Sequence, residues 1–287
     1  MYFCRENQST NEMKTLLTLL LSLYSLVLVA QTPDYMGWVS QSADYIEANK
    51  LDSAAYALQR AMAMEPANEH NPVLLLNLGI LQRQLGLLDD AYISFTASLG
   101  NNPMPEVVLH QRASLLCDMD RFDEAMEDYD AIIRHHPEDV EAYYRRGLLF
   151  LDKSDRTSAE ADFNAAKAID PDNMYTKLCE SLLFKLDDNW EAAGEIYTHL
   201  LKTVPDPNPI FYMNRAECYL NTGRLSRAAA DLQAAWSSQK DNPYYYVLRG
   251  RLRLEQFDKM AAREDFLQAK KMGYEATIAD EWIKRTK

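Results

Sequence analysis

Large and small residues follow one another at helical spacing along most of the chain. A bulky side chain, Trp38, Leu75, Leu109, Tyr143, Tyr212 or Tyr246, is followed four positions later by a small one: Ser42, Gly79, Ala113, Gly147, Ala216 or Gly250. Farther along each block an alanine (Ala54, Ala91, Ala125, Ala159, Ala193, Ala228, Ala262) precedes by four positions a large residue (Leu58, Phe95, Tyr129, Phe163, Tyr197, Leu232, Phe266). Residues four apart share one helical face, so each block predicts two helices packed closely, small residues where the backbones approach and a large one beside them. Pro103, Pro137, Pro171 and Pro205 recur every 34 residues. Proline lacks the N–H that would continue a helix, so each marks the end of a second helix.

This period and pattern resemble the tetratricopeptide-repeat (TPR) family over essentially everything after residue 30. The domain reading is an N-terminal extension and signal peptide at 1–30 and a solenoid at 31–276, with repeats at 35–68, 72–105, 106–139, 140–173, 174–207, 209–242 and 243–276. The fold class that follows is all-α, a right-handed superhelical solenoid of about seven helix hairpins with a capping helix at 277–287. In that last segment Ile278, Trp282 and Ile283 are predicted to share the packed face. Three departures stand out. "ANEHNP" lengthens the connection after the first repeat, Lys240 replaces the expected proline in the sixth, and Lys177 with Ser181 predicts altered packing in the fifth.

The repeat frame sorts the arginines. Just before the small first-helix residue stand Gln41, Leu78, Arg112, Arg146, Glu180, Arg215 and Arg249. Sixteen residues later stand Ala57, Ser94, Asp128, Asp162, Ile196, Asp231 and Asp265, so every repeat with the arginine has an aspartate and no other repeat does. A planar guanidinium suits a carboxylate held across a helix hairpin, which predicts structural ion pairs Arg112–Asp128, Arg146–Asp162, Arg215–Asp231 and Arg249–Asp265. Pairing between neighbouring repeats explains less of the covariation. Arg145, beside Arg146, recurs nowhere and is expected to face outward for binding, with Arg146→Ala the more destabilising of the two.

The TPR resemblance implies that first helices line a concave groove that takes peptides or protein segments. Groove positions carry many apolar residues and a polar minority that includes Arg83, Lys185 and Arg251. The residues expected to contact a partner are Asn77, His110, Gln111, Tyr144, Arg145, Met213, Asn214 and Glu217. The clamp by which TPR co-chaperones hold a C-terminal carboxylate is not reproduced: Leu76, Ile80, Gln111, Glu141 and Arg145 occupy those positions, and only Arg145 matches.

Residues 16–30, "LLTLLLSLYSLVLVA", contain no charge and follow Lys14. Such a run is short for a bilayer span and suits the apolar core of an export signal cleaved after Ala30, an uncleaved anchor being the alternative. Translation starting at Met13 would remove an unusual leader. The expected location is therefore outside the cytoplasm: periplasmic, cell-surface or secreted, in a bacterium. Any membrane contact is expected only through an uncleaved signal segment.

Charge narrows the partners. Lys and Arg total 30 against 43 Asp and Glu, a net charge of −13, which repels nucleic acid. After the signal, Cys117, Cys179 and Cys218 are odd in number and lack CxxC spacing, which predicts free buried thiols. There is no GxSxG, GxxxxGK[ST] or HExxH, and "HHPED" at His135–Asp139 falls in a connection, so no enzyme, metal or cofactor is expected. The resulting expectation is a noncatalytic scaffold binding a protein or peptide in its groove. The alternative is a structural subunit of an envelope assembly, secretion or polysaccharide-export complex.

Overall fold

The computed structural model describes residues 33–287, so the apolar run at 16–30 lies outside the described residues. Among the described residues there are helices and no strand. In order they are α1 (Pro33–Glu47), α2 (Leu51–Met64), α3 (Asn71–Gln84), α4 (Leu88–Ser98), α5 (Pro105–Asp118), α6 (Phe122–His135), α7 (Val140–Asp152), α8 (Arg156–Ile169), α9 (Met174–Leu186) and α10 (Trp190–Thr203). Then follow α11 (Ile210–Asn221), α12 (Leu225–Gln239), α13 (Pro243–Glu255), α14 (Lys259–Lys271) and α15 (Ala276–Arg285). The chain forms two compact units, one ending at Asp155 and the other beginning at Arg156. Within each, helices adjacent in sequence pack on each other, as an all-α repeat solenoid requires. None of the described helices is long and apolar enough to cross a membrane.

The turn inside each predicted repeat has one recurrent device. The residue that turns the chain out of the first helix has positive φ every time: Asn49, Gly86, Asp120, Ser154, Asp188, Gly223 and Phe257. Glycine accepts this left-handed conformation freely, and Asn and Asp tolerate it through local hydrogen bonds. Phe257 does not belong to that set. Its φ is 66° and its side chain is 90% exposed, so a bulky residue bears the strain without packing in return.

The second helices end as their prolines direct. Pro137, Pro171 and Pro205 each stand two residues beyond the last residue of α6, α8 and α10. Helix starts in the second unit are capped by side chains: Asn173, Asn189, Asn242 and Asp258 accept from the backbone N–H groups of Tyr175, Ala192, Tyr244 and Ala261.

The small-against-large pattern is the core. The seven second-helix alanines are at 0% exposure, and the large residues four positions on are at 2% or less. A Cβ added to Gly79 would lie 2.6 Å from the Phe95 ring, and one added to Gly250 would lie 2.5 Å from the Phe266 ring, so only glycine admits the ring there. The fifth repeat solves the same contact by polar means. Ser181, in place of glycine, donates its hydroxyl to the Tyr197 hydroxyl at 2.9 Å, and both are buried. Its altered packing is thus a buried hydrogen bond where the second and seventh repeats set a glycine against a ring.

The C-terminal helix α15 closes the second unit with Trp282 on its packed face as expected, but with Ala279 in place of Ile278. Ala279 is buried at 0%, and Trp282 stacks on Phe266 with ring centroids 5.6 Å apart, whereas Ile278 is exposed. The small Ala279 lets α15 lie close enough for the indole to reach Phe266, which turns Ile278 outward.

Candidate binding face and its arginine braces

The recurrent arginines hold hairpins together. Arg112 donates from Nε and Nη2 to the two carboxylate oxygens of Asp128, at 2.9 and 2.6 Å. Arg215 does the same to Asp231 at 2.8 and 2.7 Å, and Arg249 to Asp265 at 3.0 and 2.6 Å. The carboxylates are nearly buried, at 3–5% exposure, and their hydrogen bonds raise all three guanidinium pKa values against the opposing pull of burial. Asp162 is buried in the second unit, and Arg146 lies in the first.

Each arginine also reaches back, which the repeat pattern alone did not predict. Its Nη1 donates to the second helix of the preceding repeat: Arg112 to Thr96 at 3.3 Å, Arg146 to Asp130 at 2.7 Å and Arg215 to Thr198 at 3.2 Å. Arg249 instead lies over the Trp236 ring on α12, 5.4 Å from its centroid. In Arg112, Arg215 and Arg249 one guanidinium therefore ties both helices of its own hairpin to the hairpin before it. The signal was present in the sequence, since Thr96 and Asp130 stand sixteen residues before their arginines as the aspartates stand sixteen after. Varied partner chemistry (hydroxyl, carboxylate, indole) hid it.

The eight residues expected at the binding face divide evenly. Asn77 and Met213 are at 0% exposure, Tyr144 at 5% and Arg145 at 6%, so these four are buried rather than displayed. Arg145 is the clearest revision. Its Nε and Nη2 both donate to Glu141, one helical turn earlier, at 3.2 Å, and it is the more shielded arginine of the doublet. Met213 belongs to the apolar core of α11–α13, because a first helix packs on its neighbours with part of the face assigned to the groove.

His110, Gln111, Asn214 and Glu217 remain partly exposed. His110 on α5 meets Asp139 through Nε2 at 2.9 Å, and Asp139 also caps α7 by accepting from the Ala142 N–H. Burial pushes the Asp139 carboxyl up, but the His110 and backbone hydrogen bonds outweigh it and hold the group below its usual range. Next to it in sequence, Gln111 Oε1 is shielded and has no hydrogen-bond partner among the described residues, and neither has the Asn77 carboxamide on α3. These two side chains stand 34 residues apart, at the same place in consecutive first helices.

In the second unit the partly exposed residues join a charged network. Lys185 Nζ on α9 donates to Glu217 Oε2 at 2.8 Å and to Asn214 Oδ1 at 3.2 Å, both on α11. Arg251 on α13 brings Nη1 to 4.0 Å from Glu217 Oε1 and donates from Nη2 to Asn221 at 3.0 Å. Burial alone would raise the Glu217 pKa. The Lys185 charge, hydrogen bonds from Lys185 and Tyr244, and Arg251 instead hold it below the ordinary carboxylate range. The same carboxylate keeps Lys185 protonated against the cost of its burial. Lys185, Tyr244 and Arg251 occupy predicted groove positions, but their convergence on Glu217 joins three helices and has no local sequence signature.

Among the described residues, no group of three or more His, Cys, Asp or Glu side chains is placed to hold a metal ion. Cys117, Cys179 and Cys218 are free and buried.

Family profiles described as tetratricopeptide repeat match residues 110–173 and 186–252. The crystal structure of a tetratricopeptide repeat protein from Parabacteroides merdae ATCC 43184 is similar, with 33% identity and a TM-score of 0.68 over 89% of this chain and 99% of that one. A chain of the APC/C hetero-tetramer Cut9–Hcn1 shares the fold at 11% identity, with a TM-score of 0.64 over 87% of this chain and 55% of that one. Among curated proteins, mouse DnaJ homolog subfamily C member 3 is 26% identical over 181 residues, 58% of this chain and 36% of that protein. The DnaJ homolog subfamily C member 7 homolog of Dictyostelium discoideum is 20% identical over 275 residues, 88% of this chain and 51% of that protein. The matched region thus spans 36% and 51% of the length of these two relatives.

Proposed function

Because the chain belongs to the tetratricopeptide-repeat family, whose repeats mediate protein–protein interactions, we propose that it is a noncatalytic scaffold holding a protein or peptide segment on its first-helix face. The observation that carries this reading is Gln111 on α5, a partly exposed first-helix residue whose shielded Oε1 has no hydrogen-bond partner among the described residues. A buried polar group left unpaired costs about 1–3 kcal/mol, so such groups persist where something else hydrogen-bonds them. The N–H groups of an extended segment supply the donors that the Gln111 carbonyl oxygen needs. In the second unit, the fixed charges Lys185, Glu217 and Arg251 would select the charged residues of a segment bound there.

The acidic balance supports a protein partner over nucleic acid, and the uncharged run at 16–30 supports a location outside the cytoplasm. A second reading, a structural subunit of a larger envelope, secretion or polysaccharide-export assembly, is favoured by the exposed Phe257, Met260 and Leu267 in and beside α14. The test of the groove reading is the triple variant Gln111→Ala, Asn214→Ala, Glu217→Ala, checked for retained helicity by circular dichroism. Loss of the co-purifying partner with the fold intact is expected. Retention of every partner would overturn the reading.

A further inference from the structure

The two units differ at one inter-repeat cleft. In the first, Tyr92, the fifth residue of α4, lies under the guanidinium of Arg121, the residue that caps α6, with Cζ 4.2 Å from the ring centroid. Arg121 also clasps Glu124 through two nitrogens at 2.7 and 2.6 Å. In the second unit the fifth residue of α10 is Gly194, and the residue that caps α12 is Arg224. The arginine is kept and its ring is missing.

What remains is a cleft of about 250 Å³ lined by Trp190, Gly194, Thr198, Cys218, Tyr219 and Arg224, among others. Gly194 sets its depth, since a Cβ there would lie 3.3 Å from that of Cys218. At the place of Glu124 stands Arg227, also in the lining, so Arg224 has lost its usual carboxylate and turns to Glu191 at the rim. The volume exceeds that of a phenol ring, and two features of the first unit are kept: the arginine, and a threonine, Thr198, in the place of Thr96.

We propose that this cleft binds a tyrosine side chain of a partner protein, its ring under Arg224 in the way that Tyr92 lies under Arg121. Tyr92 shows that the equivalent arginine covers a tyrosine ring, and a guanidinium favours a π face over an aliphatic group of equal size. The site is built from α10, Cys218 and Tyr219 of α11 and the start of α12, and it contains none of the residues assigned to the binding face, so it stands whether or not that reading holds.

The test titrates N-acetyl-tyrosinamide into the isotope-labelled full chain and follows amide chemical shifts. Saturable shifts confined to the Gly194, Thr198 and Tyr219 region are expected, with a millimolar constant fitting so small a ligand. N-acetyl-leucinamide, and the tyrosine probe on Arg224→Gln, are each expected to bind about fivefold more weakly. Arg224 and Glu191 form an exposed pair, so this variant keeps the fold. Equal shifts from the leucine probe, or an unchanged constant in Arg224→Gln, overturn the proposal. So does a concentration-dependent dimer that disappears in Phe257→Gly, which would assign the cleft to a second copy.

Discussion

Arg112 clasps Asp128 with two parallel hydrogen bonds and, with its remaining nitrogen, holds Thr96 on the preceding hairpin. Repeat stability in a solenoid is the sum of hairpin terms and interface terms, and this one side chain contributes to both. Removing it leaves Asp128, 4% exposed, as an uncompensated charge. Arg112→Ala is therefore expected to lower unfolding free energy by about 3 kcal/mol in urea titration. Arg112→Met with Asp128→Leu should recover most of the loss, because an apolar pair of similar volume leaves no buried charge. Thr96→Val, which removes only the longer bond, should cost less than about 1 kcal/mol.

The arginine doublet yields a comparison. Arg145 is 6% exposed and bonded to Glu141, so Arg145→Ala should destabilise at least as much as Arg146→Ala, the reverse of the order the sequence suggests. Thermal melts of both variants decide it. The proposed Arg146–Asp162 bond requires a separate double-mutant cycle, in which additive effects would remove it.

Glycine at the helix crossing makes a steric prediction. Gly250→Ala brings a methyl to 2.5 Å from the Phe266 ring and should cost about 1–3 kcal/mol. At Gly37, within α1, an added Cβ would meet nothing within 4 Å, so Gly37→Ala should be neutral or stabilising by up to about 1 kcal/mol. Equal effects at the two sites would contradict the close-packing account.

Phe257 strains the turn that six other residues make with Asn, Gly, Asp or Ser. Phe257→Gly relieves a left-handed bulky residue that packs against little, and a gain of about 1 kcal/mol is expected. A loss of stability would show that the exposed ring has packing value.

The charged network predicts the acid limb. Glu217 has a folded pKa below its unfolded value, so its contribution is complete above the unfolded value, about 4.3, and is lost as pH falls through the folded one. Urea titrations across the acid range should show the gap between the wild type and Glu217→Gln narrowing below about pH 4. A gap that stays constant with pH would mean that Lys185 and Arg251 do not hold this carboxylate ionised.

Helices, turns and the small-against-large core were legible because each depends on residues within one hairpin: Ala91 and Phe95 lie four apart, and Arg112 and Asp128 sixteen apart. The binding face was half legible. The family resemblance implies that Asn77, Tyr144, Arg145 and Met213 lie on the groove side of the first helices, but how deeply that face is shared with packing depends on neighbouring helices, and there all four are buried. The Lys185–Glu217–Arg251 network was invisible for the same reason, since its members meet only when α9, α11 and α13 stack. The cleft at Gly194 emerges only when two hairpins are set side by side whose arginines match and whose rings do not.

The claim that a partner segment lies on the first-helix face is tested most directly by site-specific photo-crosslinking in the native cell. A photoreactive residue at Gln111 or Asn214 should capture the partner, while one at Arg263 on the exposed side of α14 should not. Capture at Arg263 with none at Gln111 or Asn214 would contradict the account.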